Sequence, residues 1–340
     1  MTRTLWLLGI GLLAIMLVPL FLGGSGLFAQ LRDFPLSIFI GMLGMVVVCW
    51  QLNALKLRIL LKGRARGLNQ TRAFGVIMAT EFAICATPGG TGGPLTLITL
   101  LTRYGMKPAQ TTAIFAVDQI IDLVFFLSSM IALTLYIVTK AVDLHIGWLM
   151  GVPILLLSVG LVLIGLLARY HDRTIRLIAQ SLVRFRIKPE RRQRLNRRLL
   201  VFRNSLVDTL GMPRKLLIGA FVVSVAHWMV RYSVLYFTVI GLGQHLDWSW
   251  TFLVQMLSMA AGQLTLLPGG AGGTEISSSA LLAPILGQAT TAAAILIWRA
   301  VTYYFYLVAG APVFMVMAGR PLLRRILKGK SEDETPSEAS

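Results

Sequence analysis

Two stretches, TPGGTGGPL at residues 87–95 and LPGGAGGTE at 267–275, place a P-G-G-x-G-G motif inside apolar sequence, with Pro88 and Pro268 separated by 180 positions. No other feature restricts the fold as much. Proline and paired glycines end a helix. The apolar pieces on either side keep about 9–17 residues each, roughly 14–25 Å as helix, too short to cross a bilayer alone. The interrupted stretches 73–102 and 251–286 are therefore expected to be re-entrant helical hairpins that turn near mid-membrane. Non-helical backbone is tolerated at that depth only where protein buries it or where it lines a wet cavity.

The remaining sequence agrees with a membrane setting. Of 340 residues 56% are hydrophobic and 14% charged, with a mean hydropathy of +0.74. Soluble domains carry roughly a quarter charged residues. Unbroken apolar runs at 5–22, 36–60, 109–139, 147–169, 216–241 and 290–318 are long enough to span. The first run imitates a signal peptide, but about 18 apolar residues exceed the usual 7–15 of such a core, so it reads as a retained span. The fold expected is an all-α polytopic membrane protein with six full spans and two opposed re-entrant helical hairpins.

The net charge of +18 would suggest nucleic acid as partner of a soluble protein. Here the basic residues fall in loops and termini, where they set topology and meet anionic headgroups, and no nucleic-acid partner is expected. Lys62, Arg64, Arg66 and Arg72 lie in the 61–72 loop, Arg103 and Lys107 in 102–108, and fourteen Lys/Arg in 169–215. These loops and the basic start of the tail share one side if both termini are cytoplasmic. The opposite side receives 23–35, 140–146 and 242–250, whose basic residues are Arg32 and Lys140.

That topology gives each half three full spans and one hairpin. Residues 1–139 form a first repeat and 147–318 an inverted second one. A shift of 180 positions brings both hairpins and two flanking spans into register. The basic segment 170–215 is an insertion, its stretch 172–187 amphipathic and suited to the headgroup layer. Residues 319–340 form a cytoplasmic tail with a short acidic, disordered end. The expected location is the bacterial inner membrane.

Inverted repeats with broken helices point to a transporter's substrate site. After each glycine loop a half-helix begins, and its N-terminus offers backbone N–H groups and a positive dipole end, which suits an anion such as phosphate. The candidate cradle is Pro88, Gly89, Gly90, Gly92 and Gly93 with Pro268, Gly269, Gly270, Gly272 and Gly273. The plainer alternative is that these glycines only allow close helix packing.

Ionisable residues inside spans mark function by default. Arg299, ~14 Å into its span, and Arg231 are candidate phosphate ligands. Glu81, Asp118, Asp122 and Glu275 are candidates for proton or charge coupling, Glu275 also for substrate binding; alternatively these acids only neutralise the two arginines. Asp118 and Asp122 share a helix face, so one could hold a proton. Tyr303, Tyr304 and Tyr306 lie near Arg299, and Gln51 and Asn53 could add polar lining. Trp248 and Trp250 read as interface-belt residues. Cys49 and Cys85 show no disulfide or ligand spacing and the four histidines are scattered, so neither metal nor cofactor is expected.

The P-G-G-x-G-x-x-E pattern of Pro268, Gly269, Gly270, Gly272 and Glu275 resembles the flippase-like family of the lysylphosphatidylglycerol synthase transmembrane region, also called UPF0104. Length, span count, the first glycine break and the basic central loop extend the resemblance over nearly the whole chain. It implies a membrane domain that moves an aminoacylated or other anionic lipid between leaflets, with Glu275 as the principal residue and Arg299 as its basic neighbour. Bifunctional members carry a soluble aminoacyl-transferase domain after the membrane region. None follows the last span here, so synthesis of lysyl-lipid, and enzyme activity generally, is not expected.

The function expected is therefore a lipid translocase for an anionic phospholipid or lipid-linked phosphate, with a separate lipid-synthesising enzyme as a conceivable partner. The alternatives are an ion-coupled small-solute transporter and a non-catalytic subunit of a lipid synthase. The chain has no G-x-x-x-x-G-K-[ST] motif, so an ion or lipid gradient would drive movement.

Overall fold

A computed structural model describes residues 26–139 and 204–328 continuously, with isolated positions between 9 and 24 and between 158 and 202. Among the described residues every regular element is helical. The order is α1 (Gly26–Arg32), α2 (Leu36–Leu61), α3 (Gln70–Ala86), α4 (Gly92–Thr102), α5 (Pro108–Thr139), α6 (Arg214–Tyr232), α7 (Val234–Gly241), α8 (Trp248–Leu264), α9 (Gly273–Leu286), α10 (Gln288–Arg299) and α11 (Phe305–Lys328). Short 3-10 turns at Pro88–Gly90 and Pro268–Gly270 join α3 to α4 and α8 to α9. A π-helical segment, Ala300–Tyr304, joins α10 to α11.

Four described helical stretches are long and apolar enough to cross a membrane: Leu36–Leu61, Pro108–Leu133, Arg214–Gly241 and Gln288–Gly319. They match four of the six expected spans. The loop 140–146, the end of the tail, and most of the runs 5–22 and 147–169 and of the insertion 170–215 lie outside the described residues. Each glycine motif sits between helices of limited length: 17 and 11 residues around Pro88, 17 and 14 around Pro268.

Local chemistry explains most boundaries. Helix α2 ends where Lys62 and Gly63 turn left-handed, at φ 46° and 74°. Asn69 then caps α3, its side chain accepting from the Arg72 N–H at 2.9 Å. Pro108 opens α5, the position where a missing N–H is harmless.

Three boundaries differ from the sequence reading. The segment 23–35 is not simply a loop, because it carries α1. Leu27 is fully buried there, and small residues let α1 approach α10, Gly26 facing Ala289 and Gly23 facing Ala292. The run 216–241 is two helices with a break at Ser233, whose hydroxyl donates to the Met229 carbonyl and accepts from Trp248 Nε1, both at 2.8 Å. The run 290–318 contains the π-helical segment, and α11 continues past it to Lys328 through a non-helical Gly319.

The chain divides into two compact units. One comprises Met1–Ala54, Asn69–Leu100 and His227–Ser340; the other Leu55–Leu68 and Leu101–Ala226. Within the first, α11 packs along α3 and α8 along α9. Gly310 lies against Phe82 and the Met78 carbonyl, and Gly262 against Thr274 and Gly270. Lipid tails supply no hydrophobic drive between helices, so such close approaches carry the packing. An aromatic group anchors it: Trp50 stacks on Phe305 at 5.5 Å and meets Tyr306 edge-on at 5.1 Å. In the second unit, Arg64 holds the end of α2, donating to the carbonyls of Leu61 and Leu60 at 3.0 and 2.8 Å and to Thr209 Oγ1 at 3.1 Å.

Candidate functional site

The two glycine turns have the same backbone. Gly89 sits at φ 58°, ψ 19° and Gly269 at φ 64°, ψ 15°. The next glycines, Gly90 and Gly270, are also left-handed, at 68° and 69°. Side chains rarely adopt this conformation, which explains the doubled glycine. The turns contact each other inside the first unit, and Tyr303 links the second turn to the end of α3. Its ring lies against Gly269, while its hydroxyl donates to the Cys85 carbonyl near the end of α3 at 3.2 Å.

Around the second turn the polar groups pair with one another, although Glu275 Oε1 and Arg299 Nε meet as an ion pair and not as an aligned hydrogen bond. Glu275 stands three residues after the helix-capping Gly272 and accepts from its N–H at 2.6 Å. The other carboxylate oxygen is ion-paired to Arg299 Nε at 2.6 Å. Arg299 Nη2 donates to the Gly269 carbonyl at 2.7 Å, and its guanidinium lies 5.0 Å from the Tyr303 ring. Glu275 is 0% exposed and Arg299 1%. The π-helical segment begins at the residue after Arg299, the kind of helix irregularity that often marks functional positions.

This geometry narrows the anion-cradle expectation. The carboxylate favoured at the N-terminus of α9 is the protein's own Glu275. The first turn is likewise served internally: the Gly92 N–H donates to Thr87 Oγ1 at 2.8 Å, and that hydroxyl donates to the Ala83 carbonyl at 2.6 Å. Thr87→Val is expected to lower stability by about 1–3 kcal/mol, since a buried donor loses its acceptor. Thermal unfolding in detergent checks this.

Arg231 differs from Arg299. It is half-buried, donates to the Tyr306 hydroxyl, and lies over the Tyr306 and Trp228 rings at 4.9 and 5.8 Å. Glu81 acts on it electrostatically and accepts from Asn53 Nδ2 at 3.4 Å. The structure thus gathers Glu81, Arg231, Glu275, Arg299, Tyr303 and Tyr306 into the unit that holds both turns. Gln51 lies apart, exposed and bonded to Gln70.

Asp118 and Asp122 belong to the second unit. Both reach Lys56 Nζ at 2.9 Å, so these two acids neutralise a lysine, not Arg231 or Arg299. Lys56 is 3% exposed and was missed in the sequence. The signal was present, a cation inside the apolar run 36–60, but it lies toward the basic loop and passes for part of that loop's charge. Among the described residues no group of three His, Cys, Asp or Glu side chains is placed to hold a metal ion.

Comparison with known proteins follows the same lines. The family model described as lysylphosphatidylglycerol synthase TM region matches residues 6–310. A UPF0104 membrane protein of Archaeoglobus fulgidus is 20% identical over 270 residues, which cover 77% of this chain and 81% of that protein.

Proposed function

We propose, on the premise that this chain belongs to the family of the lysylphosphatidylglycerol synthase transmembrane region, that it is a lipid translocase carrying an anionic phospholipid or lipid-linked phosphate between leaflets. One observation supports this reading above the rest. Two helix–turn–helix segments with the same glycine backbone meet at their turns, beside buried and half-buried arginines. Broken helices meeting inside a bundle are how transporters build a substrate site within the bilayer.

In this reading the two segments are re-entrant hairpins of opposite orientation, the halves of the chain are inverted repeats, and both termini are cytoplasmic in a bacterial inner membrane. Arg231 is the headgroup ligand, because it is reachable where Arg299 is enclosed. A guanidinium held by a phenol and aromatic faces can turn its other N–H groups to a phosphate. The Glu275–Arg299 pair positions the second turn, and Glu81 balances Arg231 when no lipid is bound. The acyl chains stay in the bilayer while the headgroup crosses. Movement is driven by an ion or lipid gradient, the lipid is made by a separate enzyme, and this protein catalyses no bond change.

The test is reconstitution. Purified protein in liposomes should speed the crossing of an anionic lipid labelled in one leaflet, read by quenching. Arg231→Gln should slow it about tenfold or more, since a charged hydrogen bond contributes about 1.5–3 kcal/mol. A wild-type rate equal to that of protein-free liposomes would refute the proposal. Loss of a soluble solute with no lipid movement would favour small-solute transport.

A further inference from the structure

The glycine-turn site leaves a second ionisable cluster unexplained. In the second unit, Lys56 on α2 meets Asp118 and Asp122, one turn apart on α5, with its ammonium 2.9 Å from one oxygen of each. Ser224 on α6 donates to the same Asp122 oxygen that Lys56 contacts. The Lys56 side chain is 4% exposed, that of Asp122 12% and that of Asp118 25%. Among the described residues the groups acting on Asp118 are Lys56 from α2 and Asp122 from its own helix, with Ser224 reaching Asp122 from α6.

Within this triad one ammonium serves two carboxylates, and the three ionised groups sum to a negative charge inside an apolar span. An uncompensated buried charge is costly. The two acids are not equivalent. Asp122 receives both Lys56 and Ser224, two donors on one carboxylate oxygen. Among the described residues Asp118 shares only Lys56, and its side chain is the more exposed of the two. We infer that Lys56, Asp118 and Asp122 form a proton-binding site in which Asp118 takes up and releases the proton.

The step is a simple one. Proton uptake converts the Asp118 carboxylate to a carboxylic acid and leaves Lys56 to Asp122. Proton release restores a lysine bridged between both acids. The link between α2 and α5 therefore depends on proton occupancy, which is what a proton-coupled conformational step requires. A bound sodium ion is disfavoured at the same place, because the Lys56 ammonium already lies within 2.9 Å of both carboxylates where a second cation would be repelled.

The site stands independently of lipid movement, and so does its test. Infrared difference spectra of the purified full-length protein in detergent, taken across a pH titration, should show a protonated-carboxyl C=O band. Asp118→Asn should remove it. Asp122→Asn should keep the band and move its midpoint down by about one pH unit, equivalent to ~1.4 kcal/mol, because Lys56 then serves Asp118 alone. Lys56→Met should move it up. A band unchanged in Asp118→Asn overturns the inference. If that variant does not fold, an unmoved midpoint in Asp122→Asn overturns it. Sodium chloride added at fixed pH, with choline chloride as the ionic-strength control, should leave the band in place; its specific loss to sodium would make this a cation site. Protein that moves no lipid but shows the band sinks only the translocase reading.

Discussion

Arg299→Ala is expected to lower the unfolding free energy by about 3–5 kcal/mol, the usual cost of removing one member of a buried ion pair. Three groups lose their partner at once. Glu275, 0% exposed, loses the cation beside it. The Gly269 carbonyl loses its 2.7 Å donor. The Tyr303 ring loses the guanidinium 5.0 Å away. Glu275→Gln should cost a comparable amount, since its single amide oxygen can serve the Gly272 N–H or Arg299 but not both, and Arg299 is left without its counter-charge. The pair need not be stabilising relative to an apolar replacement, for desolvating two charges consumes most of the Coulomb gain. A double variant, Glu275→Leu with Arg299→Met, should therefore recover part of the single variant's loss while leaving the turn poorly fixed. Thermal unfolding of the three variants in detergent separates these outcomes. Wild-type stability in Arg299→Ala would mean that Glu275 is neutral or reached by water, contrary to the enclosure seen here.

How much of this was legible beforehand follows from which signals are local. The helix breaks at Pro88 and Pro268 were readable because proline and left-handed glycine act on their own residues. The spans beginning at Leu36 and Pro108 were readable because lipid demands long apolar helices. The pairing of charges was not readable, since it depends on which helix faces which. Asp118 and Asp122 took Lys56 from another helix, and nothing in their spacing names that partner. Glu275 could be placed at a helix start, and its position after Gly272 gave it the capping role. That the same carboxylate also holds Arg299, so that the cradle is filled from within, is a tertiary fact. The π-helical segment after Arg299 and the short helix α1 escaped for the same reason. Helix α1 exists because Gly23 and Gly26 find Ala292 and Ala289, and no propensity within a seven-residue helix would hold it.

Gly269→Ala should be more damaging than Gly89→Ala, although the two residues occupy the same place in the same turn. Both backbones are left-handed, at φ 64° and 58°, and an alanine forced there costs roughly 1–2 kcal/mol. The surroundings separate them. A methyl at Gly89 would rest at ordinary contact distance, 3.5 Å from Leu266 Cδ2. At Gly269 it would overlap the Tyr303 ring. That ring has little freedom to yield, because its hydroxyl is bonded to Cys85 and its face carries Arg299. Overpacking of this kind adds about 1–3 kcal/mol, which brings Gly269→Ala to roughly 2–5 kcal/mol against 1–2 for its counterpart. A double-mutant cycle isolates the steric part. In a Tyr303→Ala background, Gly269→Ala should cost no more than Gly89→Ala does in the wild type. Equal costs for the two glycine variants, or no relief from removing Tyr303, would mean that the ring is not fixed against the turn. The tyrosine would then not tie the second turn to the end of α3, and the two glycine turns would be related by backbone shape alone.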